Sequence, residues 1–541
     1  MPYISRVYKS LLFKVCFRLL FGHRNTVMMK NGIFDEKISR RRFLELSGKA
    51  VGYSALASAV AACSSEGGNG GDTNPDLPAV RIPAPSTEYS ILRRTSFGVS
   101  RQELQRIEQI GIQAYLDEQL DHENIDASAI EATIASLFPE ASKTPTELRP
   151  GFPDNFGDVV GQLVNATQYR AFFSPRQLYE VMVEFWSNHF SIQVINGLEP
   201  VLKPYDDAQV IRPHALGNFR DLLFASANSS AMVYYLDNFL NFKDAPNENY
   251  ARELLELHSM GVDGGYTEQD IKEVARCFTG WTLDFGTGEF VYNDGLHDKN
   301  EKIVLGQSIN FGDQRDGEAV LDLICYHSST AHFIATKLCE RFISDSPSSD
   351  VINTVASTFL SSNGEIKDTL RVLFAHNEFL QAYDQKLCRP MEFMGQYIRV
   401  LNPNLDLPTD NGQLNYLIIS VLGQVPFFWP TPDGYPDSSS HWGSTSGLLN
   451  RWRIALSVGF GDLYPLTDLI DNENTAETII NRLANEVLLR PMYDSDRQLL
   501  IDYIAELTNL APSGVIPNQY IPDVVKLVTS LLLSSVYFQL R

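Results

Sequence analysis

The sequence of 541 residues has little cysteine and little tryptophan, with six and five residues respectively. No Cys-x-x-Cys pair occurs, so the sequence indicates no redox pair and buried thiols are expected. It also lacks a Walker loop, a Gly-x-Ser-x-Gly elbow, a His-Glu-x-x-His pair and a dinucleotide fingerprint. The sequence therefore gives no indication of a P-loop nucleotidase, an α/β-hydrolase, a His-Glu-x-x-His metalloprotease or a dinucleotide-binding enzyme.

Basic residues are scarce, because 44 Lys and Arg stand against 66 Asp and Glu and the net charge is −22. Residues 1–62 hold eleven of the basic and three of the acidic residues, so the remaining chain has 33 basic and 63 acidic residues and a net charge of −30. Such a charge argues against nucleic acid or anionic lipid as a partner held by bulk charge. It favours solubility and association with cations.

The N-terminal region carries two export signals in the correct order. Residues 39–44 read Ser-Arg-Arg-Arg-Phe-Leu and match the twin-arginine (Tat) pattern, with Arg40 and Arg41 as its pair. The weakly apolar run 46–62 is too short and too rich in small residues to span a membrane. It ends in Val-Ala-Ala before Cys63, which resembles a lipobox. We therefore predict a Tat-exported lipoprotein, periplasmic or at the cell surface, with its membrane anchor on Cys63.

Two explanations fit the basic residues 1–27. Translation from Met28 or Met29 gives a Tat signal of ordinary length, whereas the alternative is a basic amphipathic extension that lies on the membrane. After the signal, a stretch rich in Ser, Gly, Asn and Pro reads as a tether. The predicted organisation is an N-terminal extension with a signal (1–62), a flexible tether (63–86) and a helical domain (87–541).

The rest of the chain reads as helix almost throughout. Capped or periodic segments occur near residues 100–120, 176–189, 218–226, 248–260, 268–279, 318–327, 331–343, 366–374, 389–401, 448–458 and 476–489, with more before the C-terminus. Residues 281–306 differ, because WTLDF, GTG and EFVYN read as a hairpin around a glycine turn. The predicted fold class is mainly α, a large multi-helix domain with a small β-hairpin insertion.

Residues 247–282 contain two capped helices and a polar stripe. At about 100° per residue, Asn249, Arg252, Glu253 and Glu256 share one side of the first helix. In one interpretation Glu253 and Glu256 work as an acid/base pair or bind a hard cation, with Asn249 and Arg252 as binding residues. Trp281 follows the second helix and is an aromatic binding candidate.

The alternative interpretation of this stripe is structural. Glu248, Arg252 and Glu256 have the i, i+4 spacing of a solvated charge ladder, in which each pair contributes a few tenths of a kcal/mol. His258 falls on the apolar side of the helix, roughly 160° from Glu256. We therefore expect His258 to be a satisfied core residue, because it cannot share a metal ion with Glu256.

Other candidate residues lie outside this segment. His189 is on an apolar helix face beside Glu184, and is either a packed histidine or the best general base in the chain. His297 and Asp298 lie on the loop after the hairpin, and loops often carry function. Trp429 opens the aromatic loop WPTPDGYPD (residues 429–437), which is stiffened by proline and suited to stacking on a sugar or to capping the helices.

One string of residues superficially suggests zinc. It has the spacing Cys-x-His-x4-His-x6-Cys and consists of Cys325, His327, His332 and Cys339. Its members alternate with apolar residues on what reads as a buried helix, which favours packed thiols. No metal or cofactor is therefore assigned from the sequence.

Six sequence blocks, together with the 247–282 segment, resemble a bacterial family known as domain of unknown function 1800. The blocks are ILRRTSFGVS at Ile91, VEFWSNHFSI at Val183, HDKNEKIVLG at His297, HSSTAHFIATKLCERFISD at His327, GQVPFFWPTPDGYPD at Gly423 and LLNRW at Leu448. The chain departs from the family pattern at Ser328, where a proline is usual. The resemblance implies a Tat-type leader and an exported partner from the family domain of unknown function 1501, but it implies no reaction.

Two functions of different classes are consistent with these features. The first is a lipid-anchored binding or scaffold protein of the envelope that works with another exported protein. The second is a hydrolase of envelope or extracellular polymer that uses Glu253 and Glu256, with Glu184 or His189, and works with or without a metal ion. Export of an already folded chain is compatible with a metal or cofactor loaded in the cytoplasm.

Overall fold

The computed structural model describes residues 82–402, 412–461 and 463–541, with Leu405, Leu407 and two short strands before residue 40. Those strands, β1 (Thr26–Val27) and β2 (Ile38–Ser39), pair in antiparallel register. The twin-arginine pair Arg40 and Arg41, the lipidation candidate Cys63 and most of the tether lie outside the described residues.

Helices follow one another through the first half of the described chain. They are α1 (Thr87–Thr95), α2 (Arg101–Ile110), α3 (Ile112–Leu120), α4 (Ser128–Leu137), α5 (Pro145–Leu148), α6 (Phe156–Phe173), α7 (Gln177–His189), α8 (Glu199–Asp206), α9 (Arg212–His214), α10 (Phe219–Ala227), α11 (Ser230–Tyr235), α12 (Asn249–Glu256) and α13 (Glu268–Cys277). A π-helical turn, Asp207–Ile211, joins α8 to α9.

The second half continues in the same way after two hairpins. Its helices are α14 (Arg315–Cys325), α15 (Ser328–Phe342), α16 (Ser349–Ser361), α17 (Ile366–Ala375), α18 (Asn377–Gln381), α19 (Pro390–Leu401), α20 (Gln413–Leu422), α21 (Ser439–Trp442), α22 (Thr445–Phe460), α23 (Ala476–Leu483), α24 (Asp494–Thr508), α25 (Ile521–Ser534) and α26 (Val536–Gln539). Among the helices described, none is both long and apolar enough to cross a membrane.

Local sequence signals account for several helix boundaries. The Ser86 hydroxyl accepts the Tyr89 N–H at the start of α1, and Thr267 and Asp270 form a reciprocal capping box at the start of α13. The prediction of one helix over residues 100–120 is wrong in one respect, because two helices, α2 and α3, meet at Gly111. This glycine has φ +85°, a left-handed conformation that interrupts the helix.

One large hydrophobic core connects most of the described domain, from Tyr89 to Phe538. The most extensive helix pairs are α22 with α25, α15 with α16 and α16 with α17. Two small satellite clusters form under α4 and α5, around Ile130 and Leu148. The helices therefore bury their apolar stripes against one another, as expected for an all-helical layer architecture.

The small β element is present and is larger than predicted. Strands β3 (Trp281–Leu283) and β4 (Phe290–Tyr292) form the predicted hairpin. A second antiparallel hairpin, β5 (Lys302–Val304) with β6 (Gln307–Ile309), was not predicted. Its turn places Leu305 and Gly306 at φ +50° and +75°, and a leucine is an unusual residue at such a position. The predicted fold class, mainly α with a small hairpin, is confirmed.

Candidate functional site

The polar stripe of α12 forms a charge ladder that extends to the next helix. Arg252 lies 3.4 Å from Glu248 and 3.4 Å from Glu256, and 2.8 Å from Glu268 at the start of α13. The Asn249 side chain donates a hydrogen bond to the Leu236 carbonyl at 3.1 Å. Arg252 and Asn249 thus hold α12 to its neighbours. Their side chains make the contacts expected for the structural interpretation of the stripe.

The helix that carries this stripe is shorter than predicted. It ends at Glu256 and not near residue 260, because the His258 N–H bonds back to the Glu253 carbonyl at 3.0 Å and opens the helical turn. Gly261 then adopts φ +80°, a left-handed conformation that is common just after a helix. This tight exit directs His258 into the core.

Glu253 differs from the other acidic residues of the stripe. Its carboxylate is half-buried and makes no hydrogen bond or ion pair with any residue that the structure describes. Burial and the charges of Glu256 and Asp433 raise its pKa, against the lowering effect of Arg252. The charge of Asp433 in the aromatic loop therefore acts on Glu253, as does the charge of Glu256 on the same helix.

An acidic face forms where α8, α11, α12 and the aromatic loop meet; we define it by Glu199, Tyr235, Glu253 and Asp433. Burial and the charges of Glu199, Asp433 and Glu253 raise the pKa of Tyr235 to about 12. Burial and the charge of Asp237 raise the pKa of Glu199 to about 7. The Glu199 Oε2 atom is buried and has no hydrogen-bond partner among the described residues.

Sequence reasoning missed Glu199 and Asp433 on this face. They are 54 residues before and 180 residues after Glu253 along the chain, so no helical or motif spacing connects the three carboxylates. Perturbed carboxyl groups of this kind are more frequent at functional sites than elsewhere.

The aromatic loop is held in place by side chains from α7 and by its own residues. The Asn188 side chain donates to the Tyr435 carbonyl at 2.8 Å and accepts from the Tyr435 N–H at 2.7 Å. Trp429 Nε1 donates to Asp433 at 2.9 Å. Gly434 has φ +74°, and a Cβ there would lie 2.2 Å from the Asn188 carbonyl oxygen. The position therefore requires glycine.

A cleft lies between this loop and α7, and we call it the loop cleft. It is lined by Thr167, Val183, Glu184, Ser187, Asn188, Ser191, Ile192, Asp207, Met391, Gln424, Pro426, Phe427, Trp429 and Tyr435. The structure thus brings Glu184 and Trp429 to one cleft. Its volume of about 40 Å³ holds roughly three waters at most, far below the several hundred Å³ of a small-molecule pocket.

His189 and His258 lie side by side, with ring centroids 6.2 Å apart, and both are almost completely buried. His189 Nε2 hydrogen-bonds to the His258 carbonyl at 3.0 Å. Burial and the nearby charge of Lys337 lower the pKa of both histidines, that of His258 to about 3. The core position predicted for His258 is confirmed, but its Nε2 lacks a partner in the described chain, as does Nδ1 of His189.

Glu184 belongs to a buried ion network that sequence reasoning did not detect. Arg389 lies 2.8 Å from Glu184 and 3.2 Å from Glu392. Glu392 is completely buried and also lies 3.0 Å from both Arg341 and Arg541. Burial alone would raise its pKa, but the three guanidinium groups lower it far below the usual value. Glu184 is therefore an ion-pair partner at the edge of the cleft.

His297 and Asp298 hold the two hairpins to the helices. His297 Nε2 lies 3.0 Å from Asp316, which also pairs with Lys302 at 2.6 Å, and all three side chains are fully buried. Asp298 pairs with Arg276 at 2.7 Å. Although burial raises the pKa of Asp298, hydrogen bonds from its partners lower it to about 2. Each of these groups is paired within the protein.

The two candidate tryptophans occupy different environments. Trp281 is fully buried at the base of the first hairpin, and a Cβ on Gly317 would lie 2.7 Å from its ring. Trp429 is partly exposed at the mouth of the loop cleft. Of the two rings, only Trp429 is accessible to a ligand in this conformation.

The predicted buried thiols are present. The four cysteines of the described chain, Cys277, Cys325, Cys339 and Cys388, are free and buried. Burial raises the pKa of Cys325 and Cys339 to about 12. No group of three or more His, Cys, Asp or Glu side chains within the described ranges is arranged to hold a metal ion.

The fold and these sites define a large helical protein with an acidic face, a narrow aromatic cleft and a buried ion network. The family description "protein of unknown function (DUF1800)" matches residues 90–540. The chain belongs to this family, as the six sequence blocks predicted. Comparison with curated proteins and with solved structures found no match.

Proposed function

We propose that the chain is an exported binding protein of the cell envelope, anchored by a lipid on Cys63. Its binding surface consists of the acidic face and the adjoining loop cleft. The Tat pattern and lipobox in the sequence support export and anchoring. The bound group is cationic or rich in hydrogen-bond donors, because it meets Glu199, Glu253 and Asp433.

The observation that carries this proposal is the combination of unpaired carboxylates and a shallow cleft. Several buried or half-buried acidic side chains of the domain are joined to arginine or lysine, as Glu184 is to Arg389. Glu199 and Glu253, in contrast, make no ion pair within the described chain. A cleft of about 40 Å³ accepts the tip of a protruding group and does not enclose a whole substrate. Both features suit a macromolecular partner.

Site-specific photocrosslinking in the native envelope tests this proposal. A photoreactive phenylalanine at Trp429 is expected to give a defined adduct, and the Glu253→Gln, Asp433→Asn double substitution is expected to weaken it at least tenfold. The matched control places the same residue at Tyr326, which follows the end of α14 and is 43% exposed. Equal labelling from Trp429 and Tyr326, or none from Trp429, contradicts the proposed surface.

Mass spectrometry of the Trp429 adduct also tests the proposed partner. The expectation from the family resemblance is an exported protein of the domain of unknown function 1501 family. If the adduct contains a polymer fragment instead, the proposed binding function stands but the proposed protein partner is wrong.

Export and anchoring have a separate test. Arg40→Lys with Arg41→Lys is expected to leave the chain in the cytoplasm, and Cys63→Ala is expected to release the exported chain from the membrane fraction. Metabolic labelling with a radioactive fatty acid is expected for the unaltered chain and not for Cys63→Ala. An unaltered membrane location in all these variants rules out the anchor.

A hydrolase is the second candidate, and the raised pKa values on the acidic face favour it. Glu199, with its pKa raised to about 7 by burial, remains partly protonated at neutral pH and is suited to general acid catalysis. The test is release of soluble fragments from purified envelope polymer by the full chain. Loss of activity in Glu199→Gln and Glu253→Gln, with retention in Glu256→Gln, supports the enzyme. Activity that survives both substitutions eliminates this mechanism.

A further inference from the structure

A second polar site lies in the core around Glu392 and Cys388, and in contrast to the acidic face it is rich in positive charge. Seven cationic side chains meet there, and we call them the arginine cluster: Arg93, Arg94, Arg341, Lys386, Arg389, Arg451 and Arg541. Each is 2% exposed or less. This burial of positive charge contrasts with the net charge of −22 for the whole chain.

Hydrogen bonds to shared or consecutive acceptors connect five members of the cluster in two groups. Arg93 donates to the Cys388 sulfur at 2.8 Å, and Arg451 donates to the Cys388 carbonyl at 2.6 Å. Arg541 donates to the Arg341 carbonyl at 3.0 Å. Arg94 donates to the carbonyl of the following residue, Phe342, at 3.2 Å.

The carboxylates within ion-pair distance do not balance this charge. There are four of them in the described chain, namely Glu184, Asp345, Glu392 and Asp437. Counting side chains alone, the cluster therefore has an excess of three positive charges. Burial and like-charged neighbours lower the pKa of Arg94 to about 9 and that of Arg341 to about 10. Arg94 has no carboxylate partner at all among the described residues.

Several guanidinium N–H groups of the cluster also lack an acceptor. Arg341 lies 3.0 Å from Glu392, yet neither its Nε nor its two Nη atoms make a hydrogen bond with acceptable geometry. Nε and Nη1 of Arg93 and Nη2 of Arg94 are likewise buried without a partner in the described chain. Native proteins rarely leave buried donors unsatisfied, and charged donors least of all.

We propose that the arginine cluster binds a small inorganic anion of the halide class, held by Arg94, Arg341 and Arg541. Arg94 and Arg541 donate to two consecutive carbonyls, and Arg541 and Arg341 share Glu392. Ordered water would satisfy the unpartnered N–H groups but would leave the excess charge uncompensated, whereas an anion provides both acceptor and charge. The enclosure of all seven cations limits the ligand to a few atoms, so chloride is the natural occupant. This site is independent of the proposed binding function.

Thermal unfolding of the full chain in chloride against gluconate, at constant ionic strength, is the first test. Binding to the folded state alone is expected to raise the Tm by about 3 °C at a chloride concentration roughly a hundredfold above Kd. The rise must saturate, because a general salt effect continues to grow with concentration. A linear dependence, or no difference between the salts, contradicts the proposal.

Arg341→Gln is expected to lose the chloride-dependent rise in Tm. The matched control is Arg399→Gln, since Arg399 is equally buried but donates to the carbonyls of Gly98 and Phe172 at 2.7 Å each and pairs with Glu103. Arg399→Gln is expected to lower the Tm in both salts and to retain the rise. Retention of the rise in Arg341→Gln overturns the site.

Bromide-soaked crystals of the unaltered chain give the deciding measurement, because they do not depend on the folding of the Arg341→Gln variant. An anomalous difference peak is expected within hydrogen-bond distance of the Arg341 guanidinium. Absence of that peak, with water or protein atoms at the N–H groups, overturns the proposal whatever the unfolding data show.

Discussion

Glu199 provides the sharpest test of the acidic face, because its carboxyl group links burial to the pH dependence of stability. Burial and the charge of Asp237 raise its pKa from 4.5 to about 7. Below pH 4.5 the group is protonated in both the folded and the unfolded state. Between pH 4.5 and about 7 the unfolded state is ionised while the folded state still holds its proton. The free energy of unfolding therefore falls as the pH rises over this range.

The magnitude follows from the size of the pKa shift. A difference of about 2.5 units corresponds to roughly 3 kcal/mol if the group is completely enclosed. The Glu199 side chain is only partly buried, so solvent screening reduces this to about 1–2 kcal/mol. We therefore predict that Glu199→Gln, which resembles the protonated form, raises the free energy of unfolding by about 1–2 kcal/mol at pH 8 and has little effect at pH 4.5.

Reversible urea unfolding at these two pH values measures the effect, provided that the m values of the variant and the unaltered chain agree. Glu506→Gln is the matched control, because Glu506 is exposed on α24 and makes no ion pair with a described residue. Its substitution is expected to change the stability equally at both pH values. If Glu199→Gln shows the same pH dependence as the unaltered chain, the explanation by burial is refuted.

Three further predictions concern the ion pairs. Glu392→Gln leaves the adjacent guanidinium groups without their shared carboxylate and is expected to lower the free energy of unfolding by about 3–5 kcal/mol; a loss below about 1 kcal/mol by urea unfolding would contradict this. Asp316→Asn is expected to cost about 3 kcal/mol and to accelerate amide exchange in the second hairpin, whereas unaltered exchange there would show that His297 and Lys302 need no carboxylate. Arg252→Ala is expected to cost less than about 1 kcal/mol, and the loss should shrink in high salt because the ladder is partly exposed.

The sequence predicted the helices best where local signals are strong. The capping box of Thr267 and Asp270 and the left-handed Gly261 depend on residues only a few positions apart, so they can be read from the chain directly. The predicted end of α12 near residue 260 is too late, because the left-handed Gly261 does not directly follow the helix, which already ends at Glu256. The second hairpin escaped detection because its turn uses Leu305 where asparagine or glycine is usual.

The candidate residues were predicted less completely than the helices. The sequence pointed to Glu253, Glu184 and Trp429, and the structure places them beside the acidic face or the loop cleft. It did not indicate Glu199 or Asp433, because only tertiary packing brings these two residues and Glu253 near Tyr235. Periodicity separates a polar helix face from an apolar one, but it does not specify which other element covers that face.

By itself the sequence determined the family, the helical class, the strongly acidic charge and the pattern of export signals, since each depends on residue identity and short-range spacing. The tertiary structure alone decided the pairing of charges. It joined Glu392 to Arg341, Arg389 and Arg541 from distant parts of the chain and left Glu253 without a partner among the described residues. Electrostatic energy depends on distance and burial, and neither is encoded at any single position of the chain.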